Sequence, residues 1–323
     1  MIHSFLSNRQ QFVKIGDCTS RTIHNSLGVP QGSNLGPTLF LVYINDVPEA
    51  TDLLKTLLFA DDSVHYHSHN SFSTLVETCN SDMDKVKLWS DSNRLSINVS
   101  KCNTMLLTNR KTDVPINSNV CIGQETLGQV SCVKYLGVLI DNKLTFVDHI
   151  THVTAKLAMS NGILYKIRDC LPREARLRYY YCFMYPYLNY NIEIWGGTYP
   201  CHLERLVLQQ KRVIRTINNL PFSGHTSESF KQLKILKIAD IYKYKVLIYM
   251  FKNRNSNDFA VQHDRNTRNR NLLVPSFNRL SKCQNSILYK GPLLWNSLPE
   301  SLKHFNYVST FKKHLKTYFV NQY

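Results

Sequence analysis

The segment LLFADDSVHYH, residues 57–67, decides the fold of the N-terminal part of the chain. Apolar side chains occupy alternate positions on both sides of two adjacent aspartates: Leu57, Phe59, Val64 and Tyr66. A period of two is typical of β-strands. The segment therefore predicts two strands, over 56–60 and 63–67, that meet in a tight turn at Asp61-Asp62.

The turn would place two carboxylates side by side at the edge of a sheet. Adjacent negative charges repel, and a cation between them relieves the repulsion. Mg²⁺ takes oxygen ligands and leaves positions for substrate phosphates, and a pair of such ions can clamp both reacting oxygens in nucleotidyl transfer. An Asp-Asp pair alone is nevertheless more typical of an exposed turn, so both interpretations stay open at this point.

On the N-terminal side, QFVKI (11–15) and SRTIHN (20–25) flank Gly16-Asp17 and predict a hairpin. A Gly/Pro loop at 28–32 then leads into a helix that begins near Gly36-Pro37. The residues at helical spacing there are Leu35, Leu39, Phe40, Tyr43 and Ile44. Strands and a helix thus precede the aspartates.

On the C-terminal side, the periodicity predicts a helix over 73–89 and strands over 104–107 and 133–140. The apolar positions of that helix are Leu75, Val76, Cys79, Met83, Val86 and Leu88. From Asp148 onward the pattern is helical, with a polar, aperiodic stretch over 252–271. The later helices are marked by Ile150 to Ile167, by Pro172 and the run RYYYCFMYPYLNY, by Leu203 to Ile217, and by a basic segment near 308–319.

The net charge of +16 is distributed unevenly. Residues 1–149 hold 12 Lys and Arg against 14 Asp and Glu, whereas residues 150–323 hold 27 against 9. A basic surface suits a polyanion, because neutralised phosphates release condensed counterions. The sequence therefore favours nucleic acid as a partner over a merely solvated basic surface.

Nine cysteines, odd in number and without CxxC spacing, predict neither a zinc finger nor a zinc knuckle. They favour reduced, mostly buried thiols in a nuclear or cytoplasmic protein. MIHSFLSNRQ at the start lacks the apolar core of a secretory signal. No apolar stretch is long enough to predict a transmembrane helix, so no membrane association is expected.

Four blocks together resemble the reverse transcriptases of non-LTR (LINE-like) retrotransposons. They are LGVPQGSNLGPTLFLVYINDVP (27–48), LLFADDSVHYH (57–67), KLWSDSNRLSINVSKCNTMLL (87–107) and VKYLGVLIDNKLTFVDHI (133–150). A weaker likeness to the C-terminal parts of these elements runs through ERLVLQQKRVIRTI (204–217) and KGPLLWNSLPESLK (290–303). The order and spacing of the blocks make the resemblance specific.

The resemblance implies an α+β fold with a polymerase palm, an antiparallel sheet with packed helices, that is incomplete. The palm would span 1–147 and a helical, basic thumb 148–250. A polar linker over 251–271 and a small C-terminal region over 272–323 would follow. The implied activity is RNA-directed DNA synthesis from deoxynucleoside triphosphates, on an RNA template with a DNA primer. The implied cofactor is Mg²⁺, with Mn²⁺ as the alternative.

The resemblance also assigns roles to residues. Asp61 and Asp62 would hold metal. The nucleotide would lie against Gln31 and Gly32 of the Gly/Pro loop, where glycine lets backbone approach a ligand closely, and against Phe59 and Ala60. Tyr135, Leu136 and Gly137 would grip the primer end. Lys101 would donate a proton to pyrophosphate, although a simply solvated lysine is an equal alternative.

One metal ligand of the family is not matched. The resemblance implies a further aspartate on a strand upstream of the Gly/Pro loop, and neither Asp17 nor Asp46 lies in that context. We therefore expect a chain that is truncated at its N-terminus and inactive alone. The alternatives are a non-catalytic nucleic-acid-binding remnant of such an element and the product of a decayed gene.

Other candidates are weighed against simpler roles. His65, His67 and His69 alternate along a strand, and His149 and His152 lie three apart on a helix; solvated side chains are favoured over metal ligands in both cases. The tyrosines at 179, 180, 181, 185, 187 and 190 would stack bases or pack a helical core. Basic side chains of one predicted helix would track a nucleic-acid backbone or remain solvated: Arg205, Lys211, Arg212 and Arg215.

Overall fold

The computed structural model describes residues 2–109, 119–254, 272–275 and 278–323, which fall into two compact units. Unit 1 comprises residues 1–104 and 110–130, and unit 2 comprises residues 105–109 and 131–323. The predicted domain boundaries at 147, 250 and 271 remain predictions. Most of the predicted linker, residues 255–271, lies outside the described residues.

Unit 1 is built from short strands around one long helix. In chain order its helices and strands are α1 (Ile2–Leu6), β1 (Arg9–Gln11), β2 (Lys14–Ile15), β3 (Cys18–Thr19), β4 (Ile23–Asn25), α2 (Gly36–Tyr43), β5 (Lys55–Phe59), β6 (Asp62–Tyr66), α3 (Phe72–Ser92), β7 (Asn103–Thr104), β8 (Cys121–Ile122), β9 (Glu125–Thr126) and β10 (Gly128–Gln129). Short 3₁₀ turns lie at Val47–Ala50 and Val99–Lys101.

Several local signals in unit 1 are confirmed. The Gly16-Asp17 turn joins β2 to β3, with Gly16 at φ 58°, and α2 begins at Gly36 with proline in its first turn. Helix α3 begins at Phe72 because Ser71 caps it: the Ser71 hydroxyl accepts from the Thr74 N–H at 3.4 Å.

Two expectations for unit 1 are wrong. Leu88 is 68% exposed although its position was predicted to be apolar and inward. The strand predicted over 104–107 ends at Thr104, where β7 pairs in parallel with β10. At 3.6 residues per turn, position 88 lies opposite the buried side of α3, whose buried side chains are Asp82, Met83, Val86 and Ser90. Leu88 is apolar but does not belong to the apolar stripe of the helix.

The core of unit 1 is small. Five side chains form it, with half-buried neighbours such as Cys79 and Ile97: Leu54, Met83, Val86, Ile122 and Leu127. Asp82 is 2% exposed beside this core, and its carboxylate accepts from the backbone N–H groups of Leu53 at 2.8 Å and Leu54 at 2.9 Å. Asp82 therefore fixes the segment that leads into β5.

Unit 2 is helical apart from one hairpin. In chain order it contains β11 (Cys132–Tyr135), β12 (Val138–Asp141), α4 (Val147–Ile167), α5 (Arg173–Phe183), α6 (Tyr185–Asn189), α7 (Ile192–Trp195), α8 (Pro200–Ile217), α9 (Ser227–Gln232), α10 (Ile238–Lys252), α11 (Ser281–Gln284), α12 (Ile287–Asn296), α13 (Glu300–Lys303) and α14 (Val308–Val320), with a 3₁₀ turn at Arg168–Cys170. The helices predicted from 150, 172, 203 and 308 onward are confirmed, although the tyrosine-rich run is broken into α5 and α6 at Met184.

A single large core holds unit 2 together. Its fully buried side chains come from helices far apart in sequence, among them Leu157, Tyr180, Trp195, Val213 and Phe311. The buried amide of Gln210 links three helices: it donates to the Leu236 carbonyl at 2.8 Å and to the Tyr180 hydroxyl at 3.2 Å, and it accepts from the Ile238 N–H at 3.0 Å. Each of its polar atoms is thereby satisfied.

The fold is a mixture of helices and small sheets, as the α+β prediction required. Among the described residues, however, the strands form six separate two-stranded sheets rather than one antiparallel sheet. No described strand pairs with two neighbours, and the two hairpins that the sequence assigned to one palm, β5–β6 and β11–β12, belong to different units. No described helix combines the length and the apolar composition that a membrane span requires. The expectation of mostly buried cysteines is wrong, because each of the nine is exposed or half-buried.

Candidate functional site

The hairpin β5–β6 presents the two aspartates as predicted. Phe59 pairs with Asp62, so Ala60 and Asp61 form a two-residue loop. Ala60 has φ 51°, in the left-handed region that the first residue of a tight hairpin turn adopts. Both carboxylates are exposed to solvent. The tight turn therefore holds Asp61 and Asp62 at the tip of the hairpin, open to a ligand.

One face of this hairpin is apolar yet exposed. Asp62 shares its face with Leu57, Phe59 and Tyr66, because directly paired residues lie on the same side of a ladder. The exposed fractions of these three are 51%, 60% and 47%. The carboxylate at the tip thus adjoins an exposed apolar surface, which includes the predicted nucleotide contact Phe59.

The opposite face of the hairpin is the more buried one, and it carries His65. The prediction of a solvated side chain at position 65 is therefore wrong. His65 is half-buried, and its Nδ1 lies 2.9 Å from the Thr56 hydroxyl oxygen. Burial lowers the pKa of His65. Alternation gives two faces but does not say which is covered. His67 is half-buried and His69 is exposed.

The carboxylate oxygens at the hairpin are ligands of the type that a hard divalent cation takes. Carboxylate oxygens are the ligands that Mg²⁺ and Mn²⁺ take in proteins. Within the described part of the chain, no group of three or more His, Cys, Asp and Glu side chains is placed to hold a metal ion. Among the described side chains, Asp61 and Asp62 therefore supply two carboxylates without a third ligand of that kind.

The Gly/Pro loop that precedes α2 has the backbone that a close approach needs. Gly32 has φ 77°, and a Cβ built there would meet nothing within 4 Å. Gln31 beside it is exposed. Glycine is required at position 32 by backbone conformation, and the space around it is open to a ligand.

Lys101 lies at the end of a 3₁₀ turn, Val99–Lys101, with its side chain exposed. Its ammonium group has no ion pair with a described carboxylate. The structure thus leaves open both roles given to Lys101, the proton donor and the solvated side chain.

The hairpin β11–β12 is tied to the helices of unit 2. Leu136, at φ 44°, and Gly137, at φ 82°, form its loop, and the Tyr190 hydroxyl donates to the Leu136 carbonyl at 2.7 Å. A Cβ at Gly137 would lie 3.3 Å from the Tyr190 ring. The predicted primer-grip residues Tyr135, Leu136 and Gly137 therefore sit in a hairpin whose tip is fixed by an exposed tyrosine.

Four basic residues form one side of α8, which we call the basic face of α8: Arg205, Lys211, Arg212 and Arg215. At 3.6 residues per turn they fall on the side opposite the buried Leu206, Val213 and Ile217. Arg205 and Arg212 are exposed. Arg215 is held by the loop that follows, since its Nε donates to the Gly224 carbonyl at 2.9 Å.

The tyrosines divide between the two roles considered. Tyr180 is fully buried, and burial raises its pKa, so it is a core residue. Tyr179 and Tyr185 are half-buried. Tyr187 and Tyr190 are 40% and 50% exposed. Only the exposed tyrosines are available for stacking on bases.

The solvated role expected for His149 is wrong. His149 is 4% exposed, its ring packs edge-on against Trp195 at 5.3 Å between centroids, and burial lowers its pKa to about 4, helped by the neighbouring His152. Sequence reasoning also passed over Arg173 and Arg176, three apart at the start of α5, which line a pocket of unit 2. The available signal was a pair of arginines one turn apart after Pro172.

Comparison with known proteins places these features in context. Residues 1–140 match the family described as reverse transcriptase (RNA-dependent DNA polymerase). The chain is 30% identical over 253 residues to the RNA-directed DNA polymerase from mobile element jockey of Drosophila funebris, an alignment that covers 74% of the chain and 27% of the relative. It is 29% identical over 291 residues to the probable RNA-directed DNA polymerase from transposon X-element of Drosophila melanogaster, which covers 86% and 30%.

The chain spans less than a third of the length of these curated relatives. The longer alignment extends the similarity well beyond residues 1–140. No solved structure matches the chain.

Proposed function

Residues 1–140 belong to the reverse transcriptase family, and the chain is related to the polymerases of non-LTR retrotransposons as its motifs predicted, so we propose that it serves RNA-directed DNA synthesis. Its partners in this role are an RNA template, a DNA primer and deoxynucleoside triphosphates. The observation that carries the proposal is the hairpin β5–β6, which exposes Asp61 and Asp62 at a tight turn inside the family-matched region.

In this proposal Asp61 and Asp62 bind divalent cations, Mg²⁺ in the first place. The bound ions would lower the charge of the triphosphate and assist the attacking and leaving oxygens. Gln31 and Gly32 would contact the incoming nucleotide with Phe59 and Ala60, while Tyr135, Leu136 and Gly137 would position the primer end. Lys101 would protonate the leaving pyrophosphate.

We further propose that the chain alone is not an efficient polymerase. The described residues bring no third His, Cys, Asp or Glu side chain to Asp61 and Asp62. Mg²⁺ keeps several of its waters and takes its other ligands from one or two carboxylates and from substrate phosphates, so two adjacent carboxylates would not by themselves hold the pair of ions that nucleotidyl transfer uses. A further acidic ligand from elsewhere would complete the site.

The test combines Mn²⁺ binding, measured by electron paramagnetic resonance, with primer extension on an RNA template. We expect weak Mn²⁺ binding that Asp61→Asn abolishes, because the amide carries no charge. Asp46→Asn, which changes another exposed aspartate outside the hairpin, should leave binding intact. Neither the unmodified chain nor either variant should extend the primer.

Two results would count against this. Equal Mn²⁺ affinity in the Asp61→Asn variant and the unmodified chain would remove the aspartates from the metal site. Primer extension by the unmodified chain that is lost in Asp61→Asn and kept in Asp46→Asn would show a competent site in the chain alone. The proposal that the metal ligands are incomplete would then be wrong.

A second candidate function is non-catalytic nucleic-acid binding. The basic face of α8 favours it, because Arg205 and Arg212 are exposed and lie about two turns apart on one helix. Regularly spaced guanidinium groups can contact successive phosphates. This function requires no metal.

Replacing both Arg205 and Arg212 with glutamine is expected to weaken template–primer binding about tenfold at moderate salt. The slope of log K against log salt concentration should fall by about 2, one for each lost phosphate contact. Fluorescence anisotropy over a salt series measures both quantities. Arg215→Gln is the contrasting variant: since Arg215 holds the Gly224 carbonyl, it should lower stability while changing the slope less. An unchanged slope in the double variant would exclude the basic face of α8 from binding.

A further inference from the structure

A pocket of about 480 Å³ lies within unit 2 where the start of α5, the end of α8 and α9 meet. Its polar wall is rich in groups that donate hydrogen bonds: Arg173, Arg176, Asn218, His225, Ser229 and Gln232. Ile217 and Leu220 supply an apolar part. The volume lies within the usual range of ligand pockets, roughly 300–1,000 Å³.

Arg176 is the most informative residue of the pocket, because it is charged and only 7% exposed. Its Nη1 donates to the Thr216 carbonyl at 2.9 Å and to the Asn219 side chain. Its Nε is buried and has no hydrogen-bond partner among the described residues. No described carboxylate forms an ion pair with it. Capping the end of α8 explains Nη1 but leaves the positive charge and Nε without a counterpart.

Arg173 adds a second guanidinium to the same pocket. It is exposed, and its Nε donates to the Asn218 side chain at 2.9 Å, which fixes its orientation at the pocket wall. Glu228 provides a carboxylate, and it accepts from the Gln232 side chain at 3.4 Å. Two guanidinium groups against one carboxylate leave the lining positive.

We propose that this pocket binds a phosphate group carried by a nucleotide or by the end of a nucleic-acid strand. Guanidinium groups recognise phosphate by paired, charge-assisted hydrogen bonds, and a phosphate group in the pocket would balance the positive charge of Arg176, which no described carboxylate pairs. Ile217 and Leu220 offer apolar surface to the attached nucleoside. The site involves neither Asp61 nor Asp62, so it stands independently of the proposed polymerase function.

The experiment measures binding to the full chain by fluorescence anisotropy in EDTA, which removes any contribution of divalent metal at the aspartates. The probe pair is one labelled oligonucleotide with a 5′-phosphate and the same oligonucleotide with a 5′-hydroxyl. Unlabelled deoxyadenosine monophosphate and inorganic phosphate are the competitors. We expect the phosphorylated strand to bind about tenfold more tightly.

Three variants define the pocket. Arg173→Gln is chosen because Arg173 is exposed and its loss spares the buried Arg176; it should abolish the preference for the 5′-phosphate. Arg178→Gln is the matched control, since it removes the same charge from an exposed position of the same helix outside the pocket. Glu228→Gln should strengthen the preference because it removes the opposing carboxylate.

The competitors distinguish the two sources of phosphate. If deoxyadenosine monophosphate competes as strongly as the phosphorylated strand, the pocket is a site for free nucleotides. If it competes weakly, the pocket binds the end of a strand. Either result supports phosphate binding in the pocket. The proposal is overturned if the two oligonucleotides bind equally and the monophosphate does not bind. An equal effect of Arg173→Gln and Arg178→Gln would overturn it as well.

Discussion

Replacing Asp82 with alanine is expected to lower the free energy of unfolding of unit 1 by about 3–5 kcal/mol. The carboxylate accepts from the Leu53 and Leu54 N–H groups and lies 2.9 Å from the Lys85 ammonium, which also reaches Asp52 at 2.6 Å. Alanine would leave two backbone donors without their acceptor beside a core of five buried side chains. A core of that size gives unit 1 only a small free energy of unfolding.

The ionisation of Asp82 gives the same interaction a pH dependence. Burial alone would raise the pKa of this carboxyl, but the hydrogen bonds from Leu53, Leu54 and Lys85 outweigh it and lower the pKa to about 2. A carboxyl whose folded pKa is depressed stabilises the fold above its unfolded pKa, near 4, and loses that contribution as the pH falls through about 2. The shift corresponds to about 2 kcal/mol.

Hydrogen exchange with peptide resolution tests this prediction, because amides of α3 report unit 1 and amides of α4 report unit 2. Asp82→Ala should strongly accelerate exchange across α3. Asp91→Ala is the matched control: Asp91 is on the same helix, but its ion pair with Lys87 is solvent-exposed and contributes little. Protection of α3 that survives Asp82→Ala would show that Asp82 does not hold the segment before β5.

Local patterns predicted the elements that carry the candidate site. The alternation around Asp61-Asp62 predicted β5–β6 to within one residue at each end, and helical spacing predicted α3, α4, α8 and α14. The sequence also separated a near-neutral part from a basic part. These features depend on neighbours within a few positions, which is the range that periodicity reports.

The features that sequence reasoning missed depend on residues far apart in the chain. The partners of Asp82 are 28 and 29 positions away, and Arg176 contacts Thr216 across 40 positions. The pairing of β7 with β10, in parallel and more than 20 positions away, was likewise not predicted, because a strand pattern does not specify its neighbour. His65 and His149 were misjudged for one reason: an imidazole gives no sequence signal of whether its face of a strand or helix is covered.

His149 is expected to make unit 2 sensitive to acid. Burial lowers its pKa from 6.5 to about 4, with the charge of His152 acting in the same direction. In the unfolded chain the ring takes up a proton below about pH 6.5; in the folded chain it resists protonation until about pH 4. The unfolded state therefore binds more protons across this window, and stability falls as the pH falls through it, by up to about 3 kcal/mol.

The packing around the ring explains why protonation is unfavourable. Nδ1 accepts from the Leu139 N–H at 3.4 Å, Nε2 is buried without a partner among the described residues, and the Trp195 ring packs against the imidazole in an edge-to-face arrangement. A proton on Nδ1 would oppose the Leu139 donor, and no described carboxylate is paired with the ring to balance the charge. The imidazole is thus held in its neutral form.

The measurement is urea unfolding at a series of pH values between 7 and 4, followed by tryptophan fluorescence. The chain has three tryptophans, and Trp89→Phe leaves Trp195 and Trp295, so that the signal reports unit 2. In the Trp89→Phe chain, which is the parent here, His149→Gln keeps an acceptor for Leu139 but should be less stable near pH 7 because it loses ring packing. Between pH 7 and pH 4 its free energy of unfolding should fall by up to about 3 kcal/mol less than that of the parent.

The control is His152→Gln, since His152 lies on the same helix but is exposed. Removing its charge should shift the acid transition of the parent only slightly, because burial is the larger cause of the lowered pKa. Identical pH profiles for the parent and His149→Gln would show that His149 is protonated in the folded chain as readily as in the unfolded one. The assignment of a neutral imidazole to His149, packed between Leu139 and Trp195, would then be wrong.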